Sequence, residues 1–383
     1  METGHDVVGD LCTDLFASLL RRDQRLKAEA YVRALLAARG RKTLRNIAGQ
    51  MGGESAQQSV HHFISSSSWD WSAVRRALTR HAEALVAPRA WVVRPLVIPK
   101  AGPHSVGVEQ QFVPHLGQTV NGQQAFGAWL ASGQASVPCN WRLVLPDSWL
   151  EDPLRRSRAC IPATSRAASL EECASEAVRQ VHGGHAPRRP VVLDAEGLDV
   201  QRCVHYMTQG AAAPLLMRVG TETPLRVDGT AVHGYCGTPV SAGRLVATMK
   251  QFRQRADGAL PGGGRNRQGV VAAIPVVLPA PGPRLPLLLL ADWAAGPHGP
   301  ARLWLTPATG TPVPALLGLA RLADTVGRDV AQVSERIGIR DFAGRSFQGW
   351  HRHITLVSVA HLAAVLAQAS RHTAGDAAYA HAA

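Results

Sequence analysis

Two kinds of side chain in this sequence are placed to do chemistry: a lone carboxylate after an apolar run, and a dense set of cations near the N-terminus. Asp194 follows Val191-Val192-Leu193, a run short and branched enough for a buried strand. A carboxylate at a strand end can help to hold a hard divalent cation. The same placement suits a cap for the next helix, and a cap needs only one acid. The stretch from Trp91 to Val108 contains no acid and carries Arg94-Pro95 in its middle, while Glu109 falls on the next strand. Far downstream, Gly327 stands before Arg328-Asp329, with Asp324 one turn earlier on the same helix.

The cations are Arg21, Arg22, Arg25, Lys27, Arg33, Arg39, Arg41, Lys42 and Arg45, and between Arg21 and Arg45 only Asp23 and Glu29 oppose them. Phosphate contacts require cations spread along one face. A solvated helix face is the plainer reading. Over the chain, 41 Lys and Arg against 28 Asp and Glu give a net charge of +13. That balance favours an acidic partner, nucleic acid being the commonest, although a preference for Arg codons would produce the same count.

Six cysteines are scattered without a Cys-x-x-Cys pair, so neither a zinc ribbon nor a disulfide scaffold is suggested. Cys203 and His205 are close in sequence and read as packing residues. The polar N-terminus does not have the form of a signal peptide. The apolar run Leu285 to Ala291 is interrupted by Pro286 and too short to cross a bilayer. The sequence therefore leads us to expect a cytoplasmic protein with no membrane contact.

These residues must be positioned by two kinds of element. From Leu11 to Val86 the apolar spacing is helical. One helix is expected to run through Leu15, Leu19, Leu26, Val32 and Leu36 to a stop at Gly40. Thr43 should cap a second, Leu44 to Met51, ending at Gly52-Gly53. Ser55 should cap a third, and Asp70-Trp71-Ser72 should open a fourth. Two short helices around a Gly-Gly turn suggest a helix-turn-helix.

From Ala90 the pattern turns to short strands, then to strands alternating with helices, which indicates an α/β body with a mixed sheet. Residues from Thr221 to Thr311 are richer in Gly and Pro. They include a basic loop, Gly262 to Arg267, which lacks the Gly-Lys-Ser/Thr of a phosphate-binding loop. A hairpin is expected there, with Leu287 to Leu290 and Arg302 to Leu305 flanking a turn over Gly296 to Gly299. Two helices close the chain, Ala315 to Ile337 and Ile354 to Ala369. The expected division is 1–88 helical, 89–220 first part of the core, 221–312 β-rich insertion, 313–372 closing helices, and 373–383 a disordered tail.

Several blocks resemble the insertion-sequence transposases of actinobacteria, in the branch called insertion sequence family 701 of the DDE superfamily. Pro99-Lys100-Ala101-Gly102 and His104-Ser105-Val106-Gly107-Val108-Glu109-Gln110-Gln111-Phe112 are similar to that family's Pro-Lys-x-Gly-x-x-Ser-Val-Gly-Val-x-Arg-Gln-Tyr block. Asn121-Gly122-Gln123-Gln124-Ala125 resembles its Asn-Cys-Gln-Val segment. Trp141 to Pro146, Trp149, Asp152, Arg155-Arg156 and Ile161-Pro162 follow in the family's order. Phe342-Ala343-Gly344-Arg345-Ser346-Phe347-Gln348-Gly349-Trp350-His351-Arg352-His353-Ile354-Thr355-Leu356 resembles its Phe-Glu-Gly-Arg-Ser-x-x-Gly-Trp-His-x-His-Val-Thr-Leu ending. The blocks span roughly three hundred residues.

The resemblance implies an RNase H-like core and Mg²⁺-dependent DNA cleavage and strand transfer, with two ions held between three carboxylates. It also places Arg94-Pro95 where the family has an Asp-Asp pair, and Gly327 where it has the catalytic Glu. The family's Arg and Lys flanking that Glu fall at Ala323 and Ser334. Asp194 alone remains of the three acids.

The leading expectation is a transposase-derived protein that binds double-stranded DNA without strand transfer, a transcriptional regulator or a homodimer among its forms, and with no metal or other cofactor. Candidate DNA contacts are Arg21, Arg22, Arg25, Arg41, Lys42, Arg45, Lys100 and Arg345, with Gln57, Gln58 and His61 on the candidate recognition helix. Two alternatives stay open. One is an active transposase whose metal site is rebuilt around another acid such as Asp324, and which would take Mg²⁺. The other is a protein-interaction scaffold.

Overall fold

The structure is a computed structural model and describes residues 6–113, 117–182, 188–209, 213–232, 237–256, 269–279, 284–293 and 302–382. The chain opens with helices α1 (Val7–Leu15), α2 (Arg22–Ala37), α3 (Leu44–Gly49), α4 (Glu54–Ser65) and α5 (Trp71–Val86). The single first helix expected from periodicity is two. Arg25 lies on α2 and donates to the carbonyl of Leu19 at 2.6 Å, which closes the turn between them. Thr43 caps α3 by accepting from the Asn46 amide at 3.1 Å, and Asp70 caps α5 by accepting from the Ser72 amide at 2.8 Å. Ser55 does not cap α4. The cap position is Gly53, and the Ser55 hydroxyl donates to the Gly52 carbonyl instead. Gly52 and Gly53 have φ of 121° and 78°, a turn that residues with a Cβ rarely adopt.

Three strands then form an antiparallel meander: β1 (Ala90–Pro99), β3 (Gln118–Ala131) and β4 (Ser136–Leu143), with β2 (Glu109–Val113) paired to the start of β3. After the short helices α6 (Asp147–Leu150) and α7 (Pro153–Arg158) and then α8 (Leu170–Arg179), strand β5 (Val191–Leu193) lies parallel beside β1. Helix α9 (Val200–Thr208) crosses over to β6 (Leu215–Val219), parallel to β5. The continuous Val-Leu character of β5 fits a strand covered on both faces.

The next segment holds β7 (Pro224–Val227), β8 (Val240–Ser241), α10 (Ala242–Thr248), β9 (Arg253–Ala256), β10 (Gly269–Val277), β11 (Pro286–Asp292) and β12 (Arg302–Thr306). Strand β12 pairs antiparallel with β6, so these strands prolong the main sheet to twelve strands among the described residues. The Leu287–Leu290 and Arg302–Leu305 pairing expected from sequence is present, with Leu289 opposite Leu305. Its turn over Gly296 to Gly299, the loop from Gly262 to Arg267, and Cys236 lie outside the described residues. A mixed α/β body with one large mixed sheet is consistent with an RNase H-like core.

Helix α11 (Val313–Asp329) packs on β1, β3, β4 and β5 and continues through a π-helical turn, Val330–Ser334, into α12 (Glu335–Ile337). Helix α13 (Phe347–Ala382) runs through the segment where a disordered tail from 373 was expected, and that expectation is corrected. The segment is rich in Ala, the strongest helix former. The stretch Phe347–Ala369 is long and apolar enough to cross a membrane, but 72% of it is buried inside the fold, as in a core helix.

The N-terminal helices, the sheet and α13 share one hydrophobic core. Their seam is polar at several points. Arg75 on α5 is buried, and all five of its donor positions meet neutral groups. Its Nε donates to Thr355 Oγ1 at 2.8 Å, its Nη1 to Asn140 Oδ1 and the Trp141 carbonyl at 2.9 Å each, and its Nη2 to His351 Nδ1 at 3.1 Å and the His351 carbonyl at 3.2 Å. Burial pushes its pKa down to about 9, with Asp70 pulling partly back. Tyr31 on α2 donates to His353 Nδ1 at 2.9 Å, and His353 Nε2 donates to the Gly338 carbonyl. Ser334 donates to His361 Nδ1 at 2.8 Å, and His361 Nε2 donates to the Ser136 carbonyl. Each of these three histidines accepts at Nδ1, so each is neutral.

Two predictions follow from this seam. Arg75→Ala withdraws the guanidinium from five acceptor atoms in the core, and should cost roughly 3–5 kcal/mol in urea unfolding. A loss below about 1 kcal/mol would show that the network is dispensable. The second concerns pH. Burial pushes His353 and His361 down to about 4, and His351 lower than usual, from the ordinary 6.5. Unfolded histidines bind protons that the folded ones refuse, so their contribution to stability is complete above pH 6.5 and falls as pH drops toward 4. Each costs about 1.4 kcal/mol per pH unit in that window. Unfolding free energy should thus drop by several kcal/mol between pH 7 and 5, and a flat profile would contradict neutral burial.

Candidate active site

The register of β1 and β5 determines the centre of the site. Val93 pairs with Leu193, so the next residues, Arg94 and Asp194, stand side by side where β5 ends. The Asp194 amide donates back to the Val93 carbonyl at 2.9 Å, which fixes the turn away from the strand. On the other side, Leu193 pairs with Met217, and Arg218 on β6 follows beside Asp194.

Asp194 is buried, and its two oxygens face two guanidinium groups. Arg218 Nη1 lies 2.9 Å from Oδ1, and Arg94 Nη1 lies 3.7 Å from Oδ2. Arg218 also bonds Glu196 through Nε at 2.7 Å. Burial works against the Arg218 charge, but Asp194 and Glu196 more than offset it and raise its pKa. Asp194 caps no helix. The helix that follows is capped by Asp199, which accepts from the Arg202 amide at 2.8 Å.

Gly327 on α11 faces the same group. A Cβ built on Gly327 would lie 2.9 Å from Arg94 Nη1. Arg94, Asp194 and Gly327, 133 residues apart between the last two (327 − 194), therefore converge on one spot. A side chain at 327 and the guanidinium of residue 94 compete for one space, which makes the long Arg and the missing side chain compatible partners. Pro95 lines the same cavity, of about 650 Å³, together with Glu109, Gln124 and Arg340.

A hard divalent cation takes several oxygen ligands, anionic ones by preference. Here the carboxylate between β1, β5 and α11 is surrounded by cations. Among the described residues no group of three His, Cys, Asp or Glu is arranged to hold a metal ion. The residues present do not fit the Mg²⁺ pair that the sequence resemblance implies. Asp324 offers no replacement, since it is exposed and paired with Arg302. Asp329 is occupied as well: its Oδ2 accepts from the amide and hydroxyl of Ser136 at 2.7 and 2.8 Å, anchoring the start of β4. Ser334 is spent on His361 in the same region.

The basic residues named from sequence divide. Arg21, Arg22, Arg41, Arg45 and Arg345 are exposed, as are Gln57, Gln58 and His61 on α4. Arg21 is paired with Asp23 at 2.9 Å, and half-buried Arg25 is tied to the Leu19 carbonyl. Lys42 is only 4% exposed, and its ammonium donates to the Ala38 carbonyl, so it is corrected from a phosphate contact to a structural residue. Lys100 is half-buried and donates to the Phe342 carbonyl, tying β1 to the segment before α13; it too faces inward. Burial pushes it down to about 8, with Arg41 adding to the fall. Cys203 is buried while His205 is exposed, in keeping with packing. Arg218 escaped the sequence reading because a cation in a buried strand carries no signal until its neighbours are known.

Gly327→Ala tests the crowding at this site. Ala raises helix propensity by about 1 kcal/mol, and the colliding atom is the movable end of Arg94. A thermal unfolding scan should show a small stabilisation. A loss of more than about 1 kcal/mol would mean that Arg94 is held rigidly against Asp194.

Three comparisons bear on identity. The family described as DDE superfamily endonuclease matches residues 14–256. No curated protein matches. Among solved structures, the chain is similar to the cryo-EM structure of a piggyBac transposase synaptic complex with hairpin DNA, at 9% identity over 94% of this chain and 72% of that one, with a TM-score of 0.40. The family match covers more than half of the sequence and contains both strands that carry Arg94 and Asp194: this chain belongs to the DDE superfamily endonuclease family.

Proposed function

We propose that this protein is a transposase-derived DNA-binding protein that holds double-stranded DNA without cutting or joining strands. The observation that carries the reading is the charge reversal at the centre of the site. Arg94 and Arg218 take both oxygens of Asp194, and Gly327 supplies no carboxylate opposite them. A phosphodiester meeting this centre would find guanidinium forks suited to phosphate, without a metal-activated nucleophile. On this reading its kin include the transposases of insertion sequence family 701.

The DNA-binding part rests on the exposed cations around α3 and α4. A groove of about 370 Å³ between these helices is lined by Arg39, Arg45, Asn46, Gln50 and Gln57. On this reading α4 is the recognition helix of a helix-turn-helix, with Arg41, Arg45 and Arg345 on phosphates. The protein would act in the cytoplasm, as a homodimer or a monomer, on gene control.

Two measurements test this. Supplied with Mg²⁺ or Mn²⁺ and with DNA from the ends of its own gene, the purified protein should neither nick nor join strands. Metal-dependent cleavage that disappears in Asp194→Ala would overturn the proposal. Binding to duplex DNA should weaken steeply with salt, because neutralised phosphates release counterions. Arg41→Ala with Arg45→Ala should lower affinity for all sequences and reduce the salt slope by about one per lost contact. Changes at Gln57, Gln58 or His61 should alter sequence preference instead. Absence of duplex binding at low salt would exclude the DNA-binding reading.

A further inference from the structure

A second cavity, of about 240 Å³, opens between the start of α5, the end of β4 and the first turn of α13. Its walls include three arginines, Arg75, Arg76 and Arg142, and among the described residues no carboxylate. Phe347, His351 and Trp71 close one side, with the Trp71 and His351 rings stacked at 4.9 Å between centroids.

The charge balance of this cavity is one-sided. Arg75 is 4% exposed and surrounded by neutral acceptors, so its charge is hydrogen-bonded but not neutralised. Arg142 is shielded too, with 13% of its side chain exposed. Its Nε bonds Glu176 at 2.6 Å, and among the described residues its two terminal nitrogens have no partner. Arg76 is exposed and, among the described residues, reaches only the Ser72 hydroxyl, at 3.3 Å. Of the acids nearby, one faces Ser72 and the other pairs with Arg142 through its Nε alone. Asp70 accepts from the Ser72 amide and hydroxyl, and Glu176 accepts from Arg142 and Arg166. The positive field also holds the His351 ring neutral, burial being the larger cause and Arg75 and Arg142 adding to it.

Buried cations are normally paired, and an unpaired one marks a place where an anion is missing. Arginine forks with free terminal nitrogens fit the oxygens of a tetrahedral oxyanion. The size narrows the choice. At about 30 Å³ per water the cavity holds roughly eight waters, below the ~300 Å³ at which sites for drug-sized ligands begin. We propose that this cavity binds a phosphate-sized oxyanion, with Arg142 and Arg76 making the contacts and Arg75 supplying charge from behind. The occupant is either free phosphate or one phosphate of a bound DNA strand; the chemistry is shared. The site is separate from the Asp194 centre and does not depend on the reading given for it.

The test uses the full-length protein in chloride buffer, to which inorganic phosphate is added at constant ionic strength. Calorimetry should show saturable binding. The Tm should rise by a few degrees at phosphate well above Kd, because the ligand binds the folded state alone. Arg76→Ala removes an exposed side chain and should keep the Tm in chloride, while weakening phosphate about tenfold. Arg142→Lys keeps a charge near Glu176 but withdraws the fork, and should weaken phosphate similarly. No phosphate-specific heat or shift, or equal shifts in wild type and both variants, would overturn the proposal. The source is read from a competition arm. If phosphate displaces duplex DNA from wild type but not from Arg76→Ala, the natural occupant is a DNA phosphate. Saturable binding without competition assigns the cavity to the free ion.

Discussion

The fold depends on a charge almost wholly withdrawn from solvent. Arg75 sits at the junction of α5, β4 and α13 and gives all its hydrogen bonds to neutral groups on the two neighbouring elements. A guanidinium is one of the few side chains that can do this, because its five donors lie in a rigid plane and point in different directions. The bonds recover part of the desolvation cost of the charge. In return, the N-terminal helices cannot shift relative to the sheet without stranding the cation. Arg352 repeats the arrangement on the next helical position, donating to the carbonyl of Ile64 and packing over Trp69.

That junction explains the dense polar motif at the start of α13. His351, Arg352, His353, Thr355 and Ser358 are all buried, in a helix whose composition alone would suit a membrane. Each has a partner on another part of the chain or on its own helix. His353 meets α2, Thr355 meets α5, and Ser358 accepts from the Trp141 indole at 2.9 Å. The same helix thus carries apolar packing and directional bonds, and the helices before the sheet form one body with those after it.

The Asp194 centre uses the sheet differently. There the backbone register brings residues from β1, β5 and β6 into one row, and α11 covers the row from above. Geometry of this kind preserves positions regardless of what occupies them. On the reading proposed above, Arg94 and Gly327 stand where acids would, and the frame carries the opposite charge without a change of shape. At this centre two cations, Arg94 and Arg218, hold the carboxylate of Asp194.

The sequence by itself determined the local elements and the composition of the site. Period and capping residues located α3, α5, β5 and the β11–β12 pair, because these depend on side chains within a few positions of each other. The family blocks relate Arg94, Asp194 and Gly327 to one another by sequence position alone. Tertiary structure alone decided what long-range contacts control. It showed that Lys42 and Lys100 turn inward, since the carbonyls of Ala38 and Phe342 offer them better partners than solvent. It placed Arg218 beside Asp194, through a strand pairing that no local pattern encodes. It split the first helix at the turn that Arg25 closes and carried α13 through the expected tail. A charge is visible in a sequence, but its partner is set by packing, and packing is a property of the whole chain.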